Sequence, residues 1–156
     1  MENVSDYNRE TEDAVYFFTP RFYALDNFSA YSVDLWGNKF PTSEHAYQWR
    51  KYSDFHPNIA NDILSATSAY ATKKIADANK EKATATQDER VVFMEIILRA
   101  KTKQHDKVKR TLLETGERLI IENAPHDEFW GIGSGTGQNM LGKIWMKLRD
   151  EINTEK

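Results

Sequence analysis

The chain has 156 residues, enough for one domain whose core needs no covalent staple. Hydrophobic residues make up 40% and charged ones 29%, mean hydropathy is −0.70, and no apolar run approaches the ~20 residues of a membrane-spanning helix. A net charge of −3 argues against a dedicated non-specific nucleic-acid binder, and the absence of Cys removes disulfides, thiolate catalysis, cysteine-type zinc sites and iron–sulfur clusters.

Met1 to Asp13 is acidic and polar, has no apolar run of signal-peptide type, and is expected to be a disordered tail ahead of one domain over 14–156. Val15–Thr19, β-branched and aromatic and stopped by Pro20, reads as a strand. Tyr31–Leu35 and Lys39–Phe40 flank Trp36-Gly37-Asn38, which has the composition of a hairpin turn. A helix is expected from about Glu44 to Asp54, with Thr42 or Ser43 as its N-cap. Pro57 suits a first helical turn, with Ile59, Ile63 and Leu64 as the apolar stripe, and Ser68 opens a third helix.

Asn79 to Asp88 is polar and reads as a loop, after which Val92, Phe93, Ile96, Ile97 and Ala100 keep helical spacing. A further helix closes at Leu112 and Leu113 and stops at Gly116, and Arg118–Glu122 reads as a buried strand. The glycine-rich loop Gly131–Gly137 leads into a last amphipathic helix carrying Leu141, Ile144, Trp145 and Leu148. The basic clusters Lys101–Lys103 and Lys107–Arg110 read as solvated helix faces. The fold class predicted is α+β, a mainly helical domain packed around a small β-sheet.

Three segments concentrate unusual polar residues and are expected to form the walls of one active site. In the first, Glu44, Gln48 and Lys51 share a helix face at i, i+4 and i+7, a set able to hold a sugar or phosphate and activate water. A solvent-facing, salt-bridged stripe is the commoner outcome of such spacing. Glu44-His45 is not a zinc-protease signature, because Trp49 stands where a second His would be. In the second segment, Asp127 and Trp130 lie in the loop between the late strand and the glycines. In the third, the backbone N–H groups of Gly131–Gly137, with a helix N-terminus behind them, could bind phosphate or simply make a flexible turn. Asn27 could face a ligand or hold a turn, Trp36 and Trp49 could stack on a base or pack in the core, and Arg149 suits a helix C-terminus at the surface.

Taken in order, these segments resemble the NADAR family, also described as YbiA-like or riboflavin-biosynthesis-intermediate N-glycosidases. The resemblance runs from about Tyr16 to Ile152 and rests on Asn27-Phe28, on Pro41-Thr42-Ser43-Glu44-His45 with Tyr47, Gln48 and Lys51, on Gln104, on Thr115-Gly116, on Asp127-Glu128-Phe129-Trp130-Gly131-Ile132-Gly133, and on Asn139-Met140-Leu141-Gly142-Lys143 with Met146 and Arg149. It implies a cytoplasmic, metal-independent hydrolase without a cofactor that cuts an N-glycosidic bond to ribose. One branch acts on phosphorylated ribosylaminopyrimidine intermediates of riboflavin synthesis, and others remove ADP-ribose from guanine in nucleic acid. By this resemblance Glu44 and Asp127 are the catalytic acids, with Glu44 the central one, and Asn27, Gln48, Lys51, Trp130, Gly131 and Asn139 contact substrate. A non-catalytic nucleotide-binding module on the same fold is the reading from another class. One departure stands out: Thr86-Gln87 occupies the place where members often carry Trp-Asp, with Arg90 and Met94 still present.

Overall fold

In the computed structural model, which describes residues 10–17 and 20–155, three side-chain hydroxyls set the helix starts. Thr42 caps α1 (Ser43–Tyr52) by accepting from the His45 N–H, Ser68 caps α3 (Ala69–Ala78) through Ala71, and Thr86 caps α4 (Gln87–Gln104) through Glu89. Each hydroxyl takes one of the N–H groups that a helix start leaves without an internal partner. Between them α2 (Pro57–Leu64) begins on Pro57, where the missing N–H costs nothing. The chain forms two compact units, one of residues 27–105 and one of residues 1–26 with 106–156.

In the unit of residues 27–105, α1 packs against α2, α3 and α4 and against a hairpin of Val33–Leu35 and Asn38–Phe40. The two-residue turn Trp36-Gly37 has φ of 51° and 79°, the double positive pair that matches the twist of a tight hairpin. Trp36 stacks on Trp49 at 6.1 Å and meets Phe40 and Phe93 edge-on, so both tryptophans are packing residues. Tyr52, Ala60, Ile63 and Ala76 form a small core, and the Tyr52 hydroxyl donates to the Ala76 carbonyl at 2.9 Å. Lys101 departs from the solvated face expected of it: it is fully buried, and its Nζ donates to Ser29 Oγ at 3.1 Å. Lys103, Lys107, Lys109 and Arg110 are exposed, as read from the sequence.

In the other unit, Ala14–Tyr16 pairs in parallel with Leu119–Ile121. In chain order the strands are β1 (Ala14–Tyr16), β2 (Val33–Leu35), β3 (Asn38–Phe40) and β4 (Leu119–Ile121). One small sheet was expected; the described residues make two separate pairs, because each strand is three residues long and finds one partner. The mainly helical α+β class stands. α5 (Asp106–Glu114) packs on the 3₁₀ segment Pro20–Leu25, and α6 (Met140–Thr154) packs on β4. That packing is close: a Cβ at Gly142 would collide with the Ile120 carbonyl. The buried Trp145 indole donates to the Leu25 carbonyl at 3.0 Å. Arg149, expected at the surface, is instead buried and donates to Thr115 Oγ1 at 2.9 Å and the Arg118 carbonyl at 2.7 Å. Of the expected disordered tail, residues 1–9 lie outside the described residues, as do Phe18 and Thr19 of the first expected strand. Glu10 to Asp13 are ordered by contacts: the Glu10 carboxylate accepts from Arg21 and Arg118, each at 2.7 Å.

Candidate active site

Helix α1 carries polar residues on a buried face. Ser43, Glu44, His45, Tyr47 and Gln48 are all buried, with Glu44 only 7% and Gln48 5% exposed. The solvent-facing stripe that the spacing alone favours is therefore not what forms. Burying a carboxylate and an amide costs free energy unless hydrogen bonds offset it, and α1 supplies those bonds along its own length. Gln48 Nε2 donates to Glu44 Oε1 at 2.7 Å, and Lys51 Nζ donates to Gln48 Oε1 at 2.9 Å. The i, i+4 and i+3 spacings make this chain possible, and it fixes which way round the Gln48 amide stands. Lys51 also lies over the Tyr47 and Tyr52 rings at 5.3 and 5.9 Å.

Burial holds the Lys51 ammonium down to about 8, and the nearby Arg90 guanidinium pushes the same way. Glu44 and Asp77 oppose the shift and Lys73 adds to it. Asn27 joins this group through its backbone, since the Asn27 carbonyl accepts the Glu44 N–H at 3.1 Å. Its buried amide donates to Met94 Sδ at 3.5 Å, while its Oδ1 has no partner among the described residues. The buried Ser43 Oγ beside Glu44 is likewise unpartnered. Asn27, Glu44, Gln48 and Lys51 are thus brought together.

His45, next to Glu44, is occupied. Its Nε2 lies 3.0 Å from the Ala66 carbonyl, which can only accept, so Nε2 carries the proton and Nδ1 accepts from Thr42 Oγ1 at 2.8 Å. Burial lowers its pKa, and the neutral ring pins the start of α1 to the α2–α3 connection. Arg90, in the first turn of α4, was seen in the sequence only as part of a pattern. Among the described residues its guanidinium makes no hydrogen bond or ion pair, and its Nε is buried. No helical periodicity could have flagged it, because the missing counter-ion is a tertiary fact.

The other predicted residues lie in the unit that holds β4 and α6. Asp127 Oδ1 accepts from the Phe129 and Trp130 N–H groups at 3.0 and 2.8 Å, which folds the turn and leaves its second oxygen without a partner among the described residues. Trp130 is half-buried, edge-on to Phe129 at 4.9 Å. The glycine loop departs from the expected phosphate cradle because it consumes its own donors. Ile132 and Gly133 donate to Glu122 and Ala124, Gly135 and Gly137 both donate to Ile132, and Gln138 donates to Glu128. The first N–H groups of α6, on Met140 and Leu141, go to the Phe129 and Trp130 carbonyls. The Glu128 carboxylate lies against Gly133 and accepts weakly from Ser134, so an anion already stands at the loop. Gly131 is required by packing: a Cβ there would come within 2.9 Å of Ala124 Cβ and the Glu122 carbonyl. Asn139 is also committed, with Oδ1 accepting from Glu122 N and Nδ2 donating to the Ile120 carbonyl, both at 2.9 Å. Gly131 and Asn139 therefore serve the frame.

Among the described residues no group of three His, Asp or Glu is placed to hold a metal ion, and no helix is long and apolar enough to cross a membrane.

The NADAR domain model matches residues 7–153. The chain is similar to the N-glycosidase YbiA of Escherichia coli strain K12, 31% identical over 85% of this chain and 82% of that protein. It is similar to an N-glycosidase of Nostoc punctiforme, 33% identical over 82% of this chain and 84% of the other. It also matches a riboflavin biosynthesis protein of Vibrio vulnificus, 32% identical over 90% of this chain but 39% of that longer protein. In three dimensions it is similar to the NMR structure of E. coli YbiA, with a TM-score of 0.75, 26% identity, and 96% and 90% of the two chains covered. By the family model and these relatives, the chain belongs to the NADAR domain family and is an enzyme of its N-glycosidase class.

Proposed function

We propose that this protein hydrolyses the N-glycosidic bond between a ribose 5-phosphate and an aminopyrimidine, as in intermediates of riboflavin biosynthesis, in the cytoplasm and without a metal or other cofactor. The observation that carries this reading is Glu44, a carboxylate only 7% exposed and bonded to Gln48 in a chain that ends on a cation. Breaking the C–N bond builds positive charge on the ribose ring, and a fixed carboxylate in a poorly hydrated place opposes that charge strongly. Water then adds to the anomeric carbon, and the departing nitrogen takes up a proton. The unpartnered Asn27 Oδ1 is suited to accept from a ribose hydroxyl or an amino group, and Lys51 to hold the phosphate.

The test is release of the free base from a ribosylaminopyrimidine phosphate. Glu44→Gln keeps shape and removes charge, so kcat should fall by ~10²–10³ with the fold intact, on the scale of losing one charge-stabilising group. Asp127→Asn is the comparison, since the amide oxygen can still close its turn. A folded Glu44→Gln variant with activity within a few-fold of wild type would move the catalytic role to Asp127.

A second reading, removal of ADP-ribose from guanine in nucleic acid, is favoured by one feature. Thr86, standing where members often have Trp, is an exposed helix cap, so that position supplies no ring to stack on a small base. ADP-ribosylated guanine assayed beside the pyrimidine substrate separates the two.

A further inference from the structure

We propose that Arg90 and Lys51 together form an oxyanion site for the substrate's phosphate, with Arg90 the residue that selects phosphorylated over unphosphorylated ribosides. The inference deepens the N-glycosidase reading and rests on its assignment of a phosphorylated substrate.

Three other cations of this unit have a carboxylate four residues away. Arg50 pairs with Asp54 at 3.0 Å, Lys73 with Asp77 at 3.5 Å, and Arg99 with Glu95 at 3.4 Å, all at i, i+4. Arg90 has Thr86 and Met94 at those offsets, so α4 offers it no counter-ion. None of its five N–H donors finds an acceptor among the described residues, although Nε is buried. Leaving a buried donor of a charged group unmade is costly, and such groups usually have an unseen partner.

The second cation lies on the helix packed against α4. Lys51 is held at the end of the Glu44–Gln48 chain, and Arg90 acts on it as a like charge. The groups that bear on Lys51 are Glu44 from α1, Arg90 from α4, and Asp77 and Lys73 from α3. Asp77 is already shared with Lys73, and Glu44 with Gln48. Two neighbouring cations, one with a planar fork of free donors, match the charge and geometry of a phosphate group. The glycine loop is a poor competitor, because the Ile132, Gly133, Gly135 and Gly137 N–H groups are already taken and Glu128 stands against it.

The experiment is titration of inorganic phosphate, and of sulfate, into the full chain as wild type, Arg90→Met, Arg90→Lys and Lys51→Met, across pH 6.5–9.5. Sulfate keeps its charge throughout that range, so its pH dependence reports the protein. Arg90→Met should weaken both anions about tenfold or more, the scale of one charge-assisted hydrogen bond, and Arg90→Lys should recover part of it. The pH at which sulfate affinity falls should rise in Arg90→Met, because Lys51 loses a like-charged neighbour. That midpoint reports only the nearness of Arg90 to Lys51; the loss of affinity with partial recovery in Arg90→Lys is what a purely structural Arg90 would not give. Wild-type affinity in Arg90→Met overturns the proposal, and if that variant does not fold, unchanged anion binding in Arg90→Gln does so. Loss of binding in Lys51→Met alone would leave the phosphate reading standing and remove Arg90 from it. Failure of the wild type to bind either anion would count against both. The catalytic reading is judged apart, by base release in Glu44→Gln. Ribose 5-phosphate and ADP-ribose as further ligands tell a monoester from a pyrophosphate.

Discussion

Lys51 sits where charge is expensive, and this gives it two opposite effects. Its folded pKa of about 8 lies well below the ordinary lysine value. A group with a depressed folded pKa that is cationic when protonated stabilises fully only above its unfolded pKa. Stability is therefore lost as pH falls from about 10.5 through about 8, and at neutral pH the charged side chain is a net cost. Lys51→Met should accordingly raise thermal stability, by about 1–3 kcal/mol on that scale, while raising KM more than it lowers kcat, because uniform binding is what it removes. A thermal melt and steady-state kinetics on one preparation check both halves; a destabilised variant would mean the ammonium is already compensated in the free protein. His45 shows the same sign. Its lowered pKa means stability present above the usual histidine value and lost as pH falls below it.

At the scale of elements, two carboxamides do the work of missing strands. Gln104 pairs with both backbone groups of Asp34 on β2 at 2.8 Å, and Asn139 pairs with Ile120 and Glu122 on and beside β4 at 2.9 Å. Strands of three residues leave edge groups open, and a side-chain amide, with donor and acceptor side by side, closes them. These bonds give both residues a structural reason to belong to the motif set. The same economy governs α6, whose approach to β4 leaves no space at Gly142. Gly142→Ala should cost about 1–3 kcal/mol or more through overpacking, despite alanine's better helix propensity. A chemical denaturation curve measures this, and a variant as stable as wild type would show that α6 can slide off β4 at no cost.

For the whole molecule, the proposed reaction is carried by fixed charge rather than by a metal ion. Exhaustive chelation should leave turnover unchanged; activity lost on chelation and restored by a divalent ion would require a site assembled from other donors. A dephosphorylated riboside should be turned over much more poorly than its phosphate ester, and equal turnover would remove the anion site from the reaction.

The sequence by itself determined the local structure and the family. Thr42 and Ser68 at helix starts, Pro57 as a first-turn residue and a hairpin turn at Trp36-Gly37-Asn38 are set by neighbours a few residues away, which is why they could be read directly, whereas the Thr86 cap lay inside a stretch read as loop. Motif order and spacing were enough to identify the NADAR family. Burial was decided only by tertiary structure, because it depends on which elements come to lie against a residue. The polar face of α1, Lys101 and Arg149 look like surface in sequence and are buried. The glycine loop looks like a phosphate cradle, yet most of its donors are claimed by carbonyls between three and ten residues distant in sequence. Arg90 looks like any helix cation, and only the packing of α4 against α1 leaves it beside Lys51 without a carboxylate. Charge pattern along a chain fixes which ions exist; the fold fixes which of them are left without a partner.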